Sequence, residues 1–532
     1  MSLTIETLEE YRQCCERQAQ KIIDLEAQLQ WLKEQFCLAQ HRQFGASSEK
    51  TPAEQRALLF NEAEALADPI VPEPTMETIT LKRRKFQGQR EARFKHLPVE
   101  TVTHVLTDDD LACEHCGGER YALPEEMAEV REELEIVPAH VKLTRHVQLK
   151  YGCRPCDHEG TSSPLVTAAM PTPAFPNSFA SASAVAYIMS QKFVNGLPLY
   201  RQEQDFARFG VTLSRQTLSN WMLAGADWLE PVYERMIEHL LQRDILHADE
   251  TTLQVLHESG RAATTQSYLW LYRTGRDGPP IICYEYQPTR ASAHPIAFLK
   301  KYRGYLHADG YQVYECLTWL TLVGCWAHAR RKFTDALKAL PVSARTTEKP
   351  SPAEEGKRFC DRLFKLERDL QDATPAERFE ERLHQSRPVL NAMKLWLERQ
   401  VETLLPKSAF GHAVTYCLNQ WEKLTAFLKD GRLELDNNRS ERSIKPFVIG
   451  RKNWLFANTA KGAKASAIIY SIIETAKENG LHPFAYLKYL FEQIPDCKTS
   501  DLDRLLPWSS TLPVDCHIPD TSSHYLQASL GE

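Results

Sequence analysis

Residues 245–257 read ILHADETTLQVLH. The run is rich in Ile, Leu, Val and Thr and reads as a strand. SYLWLYRT (267–274) and PIICYEYQ (280–287) read likewise, joined by the turn TGRDGPP. ASAHPIAFLKKY (291–302) reads as a helix, and RGYLHADGY (303–311) and LTLVGCWAH (320–328) as further strands. Three strands, a helix, a strand, then a strand and a helix predict a mixed α/β sheet over 244–340.

The pattern before this block is helical, over 179–243. Within it, LYRQEQDFARFGVTLSRQTLSNWMLAGADWL (199–229) carries an apolar helix (Tyr200, Phe206, Phe209) that ends at Gly210. A short turn follows, then a second helix opened by Ser214 and bearing Arg215, Leu218, Trp221 and Met222. That arrangement fits a helix-turn-helix whose second helix enters a DNA groove, and it equally fits two packed helices. After the block, 341–432 reads as a polar loop and helical segments. A short helix opens at DNNRSERS within 433–465, and two helices fill 466–497. The polar tail 498–532 is expected to be mobile.

Residues 1–45 predict one helix, with Ile22, Leu25, Leu29, Leu32 and Phe36 at helical spacing. Its stripe serves self-association or packing onto its own domain. Residues 46–96 read as a linker with a basic run, and 97–168 as a small β-rich module. PTPAFPNS (171–178) is a rigid boundary loop.

The chain has 532 residues, too many for one core, with 43% hydrophobic and 25% charged residues. It has no apolar run of the ~18–20 residues that a membrane helix needs. It opens without a secretory signal, so the cytoplasm is the expected compartment. The net charge of −6 does not exclude a nucleic-acid partner, because phosphate is drawn to local patches. LKRRKFQGQREARFK (81–95) carries Lys82, Arg83, Arg84, Lys85, Arg90, Arg93 and Lys95 against Glu91 alone. Arg439, Arg442, Lys445, Arg451, Lys452, Lys461 and Lys464 face only Glu441. Such runs are phosphate contacts or solvated faces.

Fourteen cysteines diluted over this length argue against a disulfide scaffold. Cys113 and Cys116 form one CxxC pair, and Cys153 and Cys156 another, with 36 residues between. Four thiolates suit a closed, structural Zn²⁺ site better than a redox dithiol. His115 and His158 are the alternative ligands.

Asp249 in LHADET is expected at or near a strand end and Asp309 in LHADGY at one, each pointing into the crevice where ligands bind. Gly310 is expected to permit a sharp turn. Glu441, in LDNNRSERSIKP (435–446), follows Asp309 by 132 positions. Phosphodiester chemistry needs an activated nucleophile and a stabilised leaving oxygen, which two Mg²⁺ or Mn²⁺ ions on carboxylates supply. A lone aspartate at a strand end is ordinarily a cap or turn residue.

HADET, LHADGY, GCWAHARRKF (324–333) and LDNNRSERSIKPFVIGRKNWLFANTAKGA (435–463) resemble the transposases of the insertion sequence 66 family. FGASSEK (44–50) and the four-cysteine module resemble the same family's N-terminal region. The likeness runs over about residues 20–495, and the tail past 498 has no counterpart. It implies a ribonuclease-H-like core with a helical insertion between the second and third acids. It also implies that Asp249, Asp309 and Glu441 are catalytic and hold magnesium. Asp436 is the rival third acid; before two asparagines at a helix start, it reads as an N-cap. Spacing alone does not separate it from Glu441.

On this reading Arg439, Arg442, Arg451 and Lys452 contact phosphates, and Trp454 stacks on a base or packs. Arg215 and the Lys82–Lys85 run add DNA contacts. Cys325 is expected in a buried strand and His328 near the active cleft. His247 and His307 lie on the same strand faces as the two aspartates. The expected partners are element-end DNA, target DNA, further copies of the chain and accessory proteins of the same element. A non-catalytic DNA-binding regulator and a structure-specific nuclease are the alternatives.

Overall fold

The computed structural model describes residues 178–340, 350–402 and 407–519, with short stretches upstream. The Lys82–Lys85 run and the four paired cysteines lie outside the described residues, as do Leu29 and Phe36. Positions 12, 13, 15–19, 21, 22, 25, 32 and 33 are helical. Ile22, Leu25 and Leu32 are exposed there. Two short strands, β1 (Lys150–Tyr151) and β2 (Val166–Thr167), pair antiparallel.

The predicted sheet is present. Its strands are β3 (Ile245–His257), β4 (Gln266–Thr274), β5 (Ile282–Gln287), β6 (Tyr305–His307), β7 (Thr321–Val323) and β8 (Ala457–Thr459). The spatial order is β5-β4-β3-β6-β7, with β8 pairing β3 off this path. β3, β4 and β5 form an antiparallel meander, whereas β6 runs parallel to β3 and β7 parallel to β6. One face of the sheet is covered by α3 (Arg215–Leu241), α12 (Ala460–Glu478) and their neighbours α1 (Ala182–Phe193) and α13 (Pro483–Gln493). Ile282 and Tyr284 of β5 donate their N–H groups to Thr475 Oγ1 (2.9 Å) and Ser471 Oγ (2.8 Å) of α12, which satisfies an otherwise bare sheet edge.

β3 is unusual in length and in what lies along one of its edges. β6 covers that edge only as far as His247, and β8 resumes it at Val255. The gap between them is closed by side chains of α11 (Asn438–Trp454) and its flank. Asn437 Nδ2 donates to the Ala248 carbonyl at 2.8 Å, and Arg451 donates to the Thr252 carbonyl. Both ends of the helix are thereby pinned to one strand, because a buried strand carbonyl must find a donor.

The helical insertion lies between α5 (Trp326–Ala339) and α11 and has its own apolar core. α6 (Pro352–Asp369), α8 (Arg387–Val401) and α9 (Ala409–Asn419) pack on Trp326, Ala329 and Phe333 of α5, and that cluster takes in Ile245 and Val323 of the sheet. Arg382 is buried at its centre, bidentate to Glu367 (2.7 and 2.6 Å) and donating to the carbonyls of Phe427, Asp430 and Leu433.

The segment after 498 departs from expectation. Residues 499–505 form a 3₁₀ helix, and Leu502, Leu505, Leu506, Leu512 and Cys516 are buried. Arg235 of α3 clamps Asp503 at 2.7 and 2.8 Å. Four leucines in 11 residues, with Cys516 after them, bury enough apolar surface to hold this stretch down as far as residue 517.

Candidate active site

Asp249 sits within β3, its fifth residue of 13, and not at or near a strand end as expected. β3 continues past it for eight residues because β4 and then β8 keep pairing. What ends just before Asp249, at His247, is the partnership with β6. His247 pairs with His307, so Asp249 and Asp309 lie two residues beyond the same rung of adjacent parallel strands. Asp309 lies just past β6, and its Oδ1 accepts the Tyr311 N–H at 3.0 Å. Asp249 Oδ1 accepts the Glu250 N–H at 2.8 Å.

Glu441 occupies the first turn of α11, which Asn437 and Arg451 hold against β3. Its Oε1 is 4.0 Å from His328 Nε2, and its Oε2 is 3.9 Å from Arg331. Burial pushes the Asp249 carboxyl up to about 8; the charges on Glu250, Asp309 and Glu441 add to this, against the Glu250 N–H. Burial and Arg331 push His328 down, while Asp309 and Glu441 pull it up. The three acids thus meet in one electrostatic neighbourhood. Among the described residues, however, no three His, Cys, Asp or Glu side chains converge closely enough to hold an ion as they stand.

Gly310 does not adopt a positive φ, so a sharp turn is not its reason. A Cβ there would lie 2.8 Å from Tyr416 Cε2 and 3.0 Å from its hydroxyl. Tyr416 comes from α9 of the insertion, and Lys332 sits 4.7 Å from its ring. Glycine therefore lets the insertion press onto the loop that carries Asp309.

Several residues of the site were not singled out in the sequence. Glu250 is buried beside Asp249, paired with Arg290 and accepting the Tyr314 hydroxyl at 2.7 Å. The Arg290 guanidinium lies 3.6 Å from the Tyr311 ring centroid. Asn437 Oδ1 is 2.9 Å from His247 Nδ1. His247 and His307 stack at 4.2 Å and are wholly buried, a floor beneath the acids. Charge type in the sequence could have flagged Glu250; only the fold reveals Asn437 and Tyr416.

Asp436 is occupied locally: Oδ1 accepts the Asn438 N–H at 3.0 Å and Oδ2 the Asn438 side-chain amide at 2.6 Å. Cys325 is buried, but it caps α5 instead of lying in a strand, and its Sγ accepts the Asn437 N–H at 3.2 Å. Of the expected DNA contacts, Arg439 is turned inward to Glu434 (3.0 Å), and Arg451 to β3. Burial opposes ionisation of Glu434, yet His247 and Arg439 hold it well below the usual carboxylate range. Arg442 and Lys452 are on the exposed side of α11. Trp454 packs on Phe447, with ring centroids 5.4 Å apart.

Residues 177–465, more than half the chain, match the family model described as Transposase IS66 family. The chain belongs to the IS66 transposase family. The family's C-terminal element matches 471–508, so the likeness extends past 498, in keeping with the packed leucines there. Residues 110–157 match the zinc-finger binding domain of transposase IS66, which spans all four paired cysteines. Residues 31–102 match a model described as Transposase C of IS166 homeodomain. The uncharacterized protein y4jD of Sinorhizobium fredii is 32% identical over 431 residues, covering 78% of this transposase and 81% of its own length. The uncharacterized y4hP of the same organism is 30% identical over 482 residues, or 86% and 85% of the two chains. Among the described residues no helix of the transposase is long and apolar enough to cross a membrane.

Ahead of the sheet, α2 (Leu199–Arg208) and α3 flank a turn in which Gly210 adopts φ +75°. Only glycine takes that conformation readily. Ser214 caps α3 by accepting the Thr217 N–H at 3.1 Å. Arg215, at the start of α3, pairs with Glu203 at 2.9 Å and lies 5.3 Å from the Tyr200 ring centroid.

Proposed function

We propose that this transposase cuts and joins DNA at Asp249, Asp309 and Glu441 on a ribonuclease-H-like core. One observation carries the reading. The register sets His247 opposite His307 on parallel strands, two residues before Asp249 and Asp309, and the charges of Asp309 and of Glu441 on α11 both act on Asp249. The strand order, an antiparallel meander followed by two parallel strands on its other side, supports the core assignment.

The residues present fit hard divalent cations. The donors are carboxylate oxygens, and the Asp249 carboxyl is pushed up to about 8 by burial first and then by the charges of Glu250, Asp309 and Glu441, with no cation among the causes. Asp249 and Asp309 would hold two Mg²⁺ or Mn²⁺ ions between them, with Glu441 completing one shell. Bound there, the ions would activate the attacking oxygen and stabilise the leaving 3′-oxygen.

The chain's own residues supply position. Asn437 and Arg451 fix α11 and with it Glu441. Tyr416 backs the Asp309 loop. The stacked His247 and His307 keep the floor dry. Arg442, Lys445 and Lys452 offer phosphate contacts along α11. The turn between α2 and α3 serves as a helix-turn-helix. Cys113, Cys116, Cys153 and Cys156 hold one structural Zn²⁺, and the N-terminal helix pairs protomers.

The test is cleavage and joining with Mg²⁺ of duplexes from the DNA that flanks this chain's own coding sequence. Wild-type protein releases a 3′-hydroxyl end and joins it to a target. Asp249→Asn binds the ends but does neither, and cleavage by that variant at the wild-type rate would overturn the assignment. Cleavage without joined products marks a nuclease instead.

A further inference from the structure

Helix α11 continues from the site toward a feature that the catalytic acids do not use. Arg442, Lys445, Ile449 and Lys452 are exposed and recur at helical spacing, forming one stripe that begins beside Glu441. No acid occurs between Arg442 and Phe456. The stripe ends in two large apolar side chains that are also open to solvent, Leu455 at 62% and Phe456 at 42%.

The backbone holds them there under strain. Leu455 has φ 65° and ψ −54°, and it alone among the described non-glycine residues has a positive φ. The Phe456 N–H donates to the Trp454 carbonyl at 2.8 Å, which closes a tight γ-turn around Leu455. Beyond the turn, β8 pairs with β3, so the tip is anchored on both sides. Burial does not repay this strain, since both side chains point outward. A strained, anchored, exposed apolar tip at the end of a basic stripe suits insertion into a partner that is anionic outside and apolar within. Duplex DNA is such a partner: phosphates line its outside, and base faces stack inside.

We propose that Leu455 and Phe456 form a wedge that opens a base step of duplex DNA lying along α11. The proposal rests on the transposase reading of the acid site. From Glu441 to Leu455 is 14 residues, or about 21 Å of helix. At roughly 3.4 Å per base pair the opened step lies about six pairs from the scissile phosphate. Arg442, Lys445 and Lys452 hold the intervening backbone, and Phe456 stacks on an exposed base.

The experiment places 2-aminopurine at successive positions of the flanking-end duplex and adds full-length Asp249→Asn protein, which binds without cutting. Fluorescence should rise at one or two adjacent positions about six pairs from the cut. The rise should disappear when Leu455→Ala and Phe456→Ala are added. It should also disappear with Leu455→Gly and Phe456→Ala, which keeps the turn while removing the wedge. In the cleavage-competent background both pairs of changes should slow cleavage at least about tenfold on paired DNA, with mismatches at that step restoring it. Binding without any fluorescence change, or an unchanged rise in the variants, overturns the wedge while leaving the acid site standing. Altered sedimentation of the variants with an unchanged rise overturns it in favour of a second copy covering the tip. Failure of the full chain to bind its flanking DNA overturns the transposase reading and the wedge together.

Discussion

Replacing Asp249 with asparagine should make the metal-free protein more stable. The Asp249 carboxyl is pushed up from 3.8 to about 8 in the folded chain, chiefly by burial and then by Glu250, Asp309 and Glu441. The folded state therefore holds a proton that the unfolded chain releases at much lower pH. Between those two values the native state binds more protons, so stability falls as pH rises through the window. Below the unfolded value both states are protonated and nothing is lost. At pH 7 about three units of the window have been crossed, at 1.36 kcal/mol each, or about 4 kcal/mol of destabilisation. Asparagine keeps the oxygen that accepts the Glu250 N–H but cannot ionise. Thermal unfolding in EDTA at pH 7 should thus show Asp249→Asn melting about 4–6 °C above wild type. The gap should shrink toward zero as pH falls to about 4. Millimolar Mg²⁺ should raise the wild-type midpoint, steeply with pH below about 8 because the ion displaces a proton, and should do little for the variant. A variant no more stable than wild type, or a gap that is the same at pH 5 and 8, would refute the electrostatic reasoning.

Asn437→Ala removes the donor to the Ala248 carbonyl and the acceptor beside His247, both at 3 Å or less. Stability should fall by about 1–3 kcal/mol and cleavage by more, because α11 then carries Glu441 loosely; urea denaturation and the cleavage assay separate the two. Gly310→Ala forces a methyl to within 2.8 Å of Tyr416 Cε2, so cleavage should drop roughly a hundredfold. Adding Tyr416→Leu should recover part of that loss, whereas a backbone-only effect would not respond. Metal analysis of purified protein should find one Zn²⁺ per chain, lost in a Cys113→Ser, Cys116→Ser variant with Mg²⁺-dependent chemistry on pre-nicked DNA retained. Full zinc content in that variant would break the four-thiolate assignment.

The sheet was legible because each strand carries its own signal. β-branched runs and turn residues are local features, and the order of strands and helices around 245–328 follows from them. Asp249 was placed near a strand end although 245–257 reads as one strand, because where β6 stops pairing with β3 is not written in β3 itself. Only a β8 arriving from residue 457, some 200 positions later, shows why β3 outruns β6. The reason for Gly310 was hidden for the same cause, since Tyr416 lies 106 positions away in another layer. Residues 499–517 were misread from average polarity, although Leu502, Leu505, Leu506 and Leu512 were visible as spaced apolar residues. The inward turn of Arg451 had no local signature, and that of Arg439 only an acid five residues upstream, Glu434: a basic run shows where charge is, not which charges the protein spends on itself.

The insertion is part of the scaffold of the acid site, not an appendage on it. Its core takes in Ile245 at the start of β3 and Val323 of β7, the strands on either side of β6. Trp326 Nε1 donates to the Leu424 carbonyl at 2.7 Å, and the Gly324 N–H to that of Lys423 at 2.8 Å, which ties the end of β7 to the insertion. Tyr416 then presses on Gly310. The short strand β6 has three residues and could not by itself hold the loop carrying Asp309 rigidly. The neighbouring strands and the insertion supply that rigidity from outside the sheet. The insertion also returns the chain at Leu435, whose carbonyl accepts the Trp326 N–H at 3.1 Å. Asn437 follows two residues later, already within reach of the Ala248 carbonyl in the gap of β3. The long sequence separation between the second and third acids is thus a consequence of how the third is delivered. The segment that separates them in the chain is the one that sets both in place.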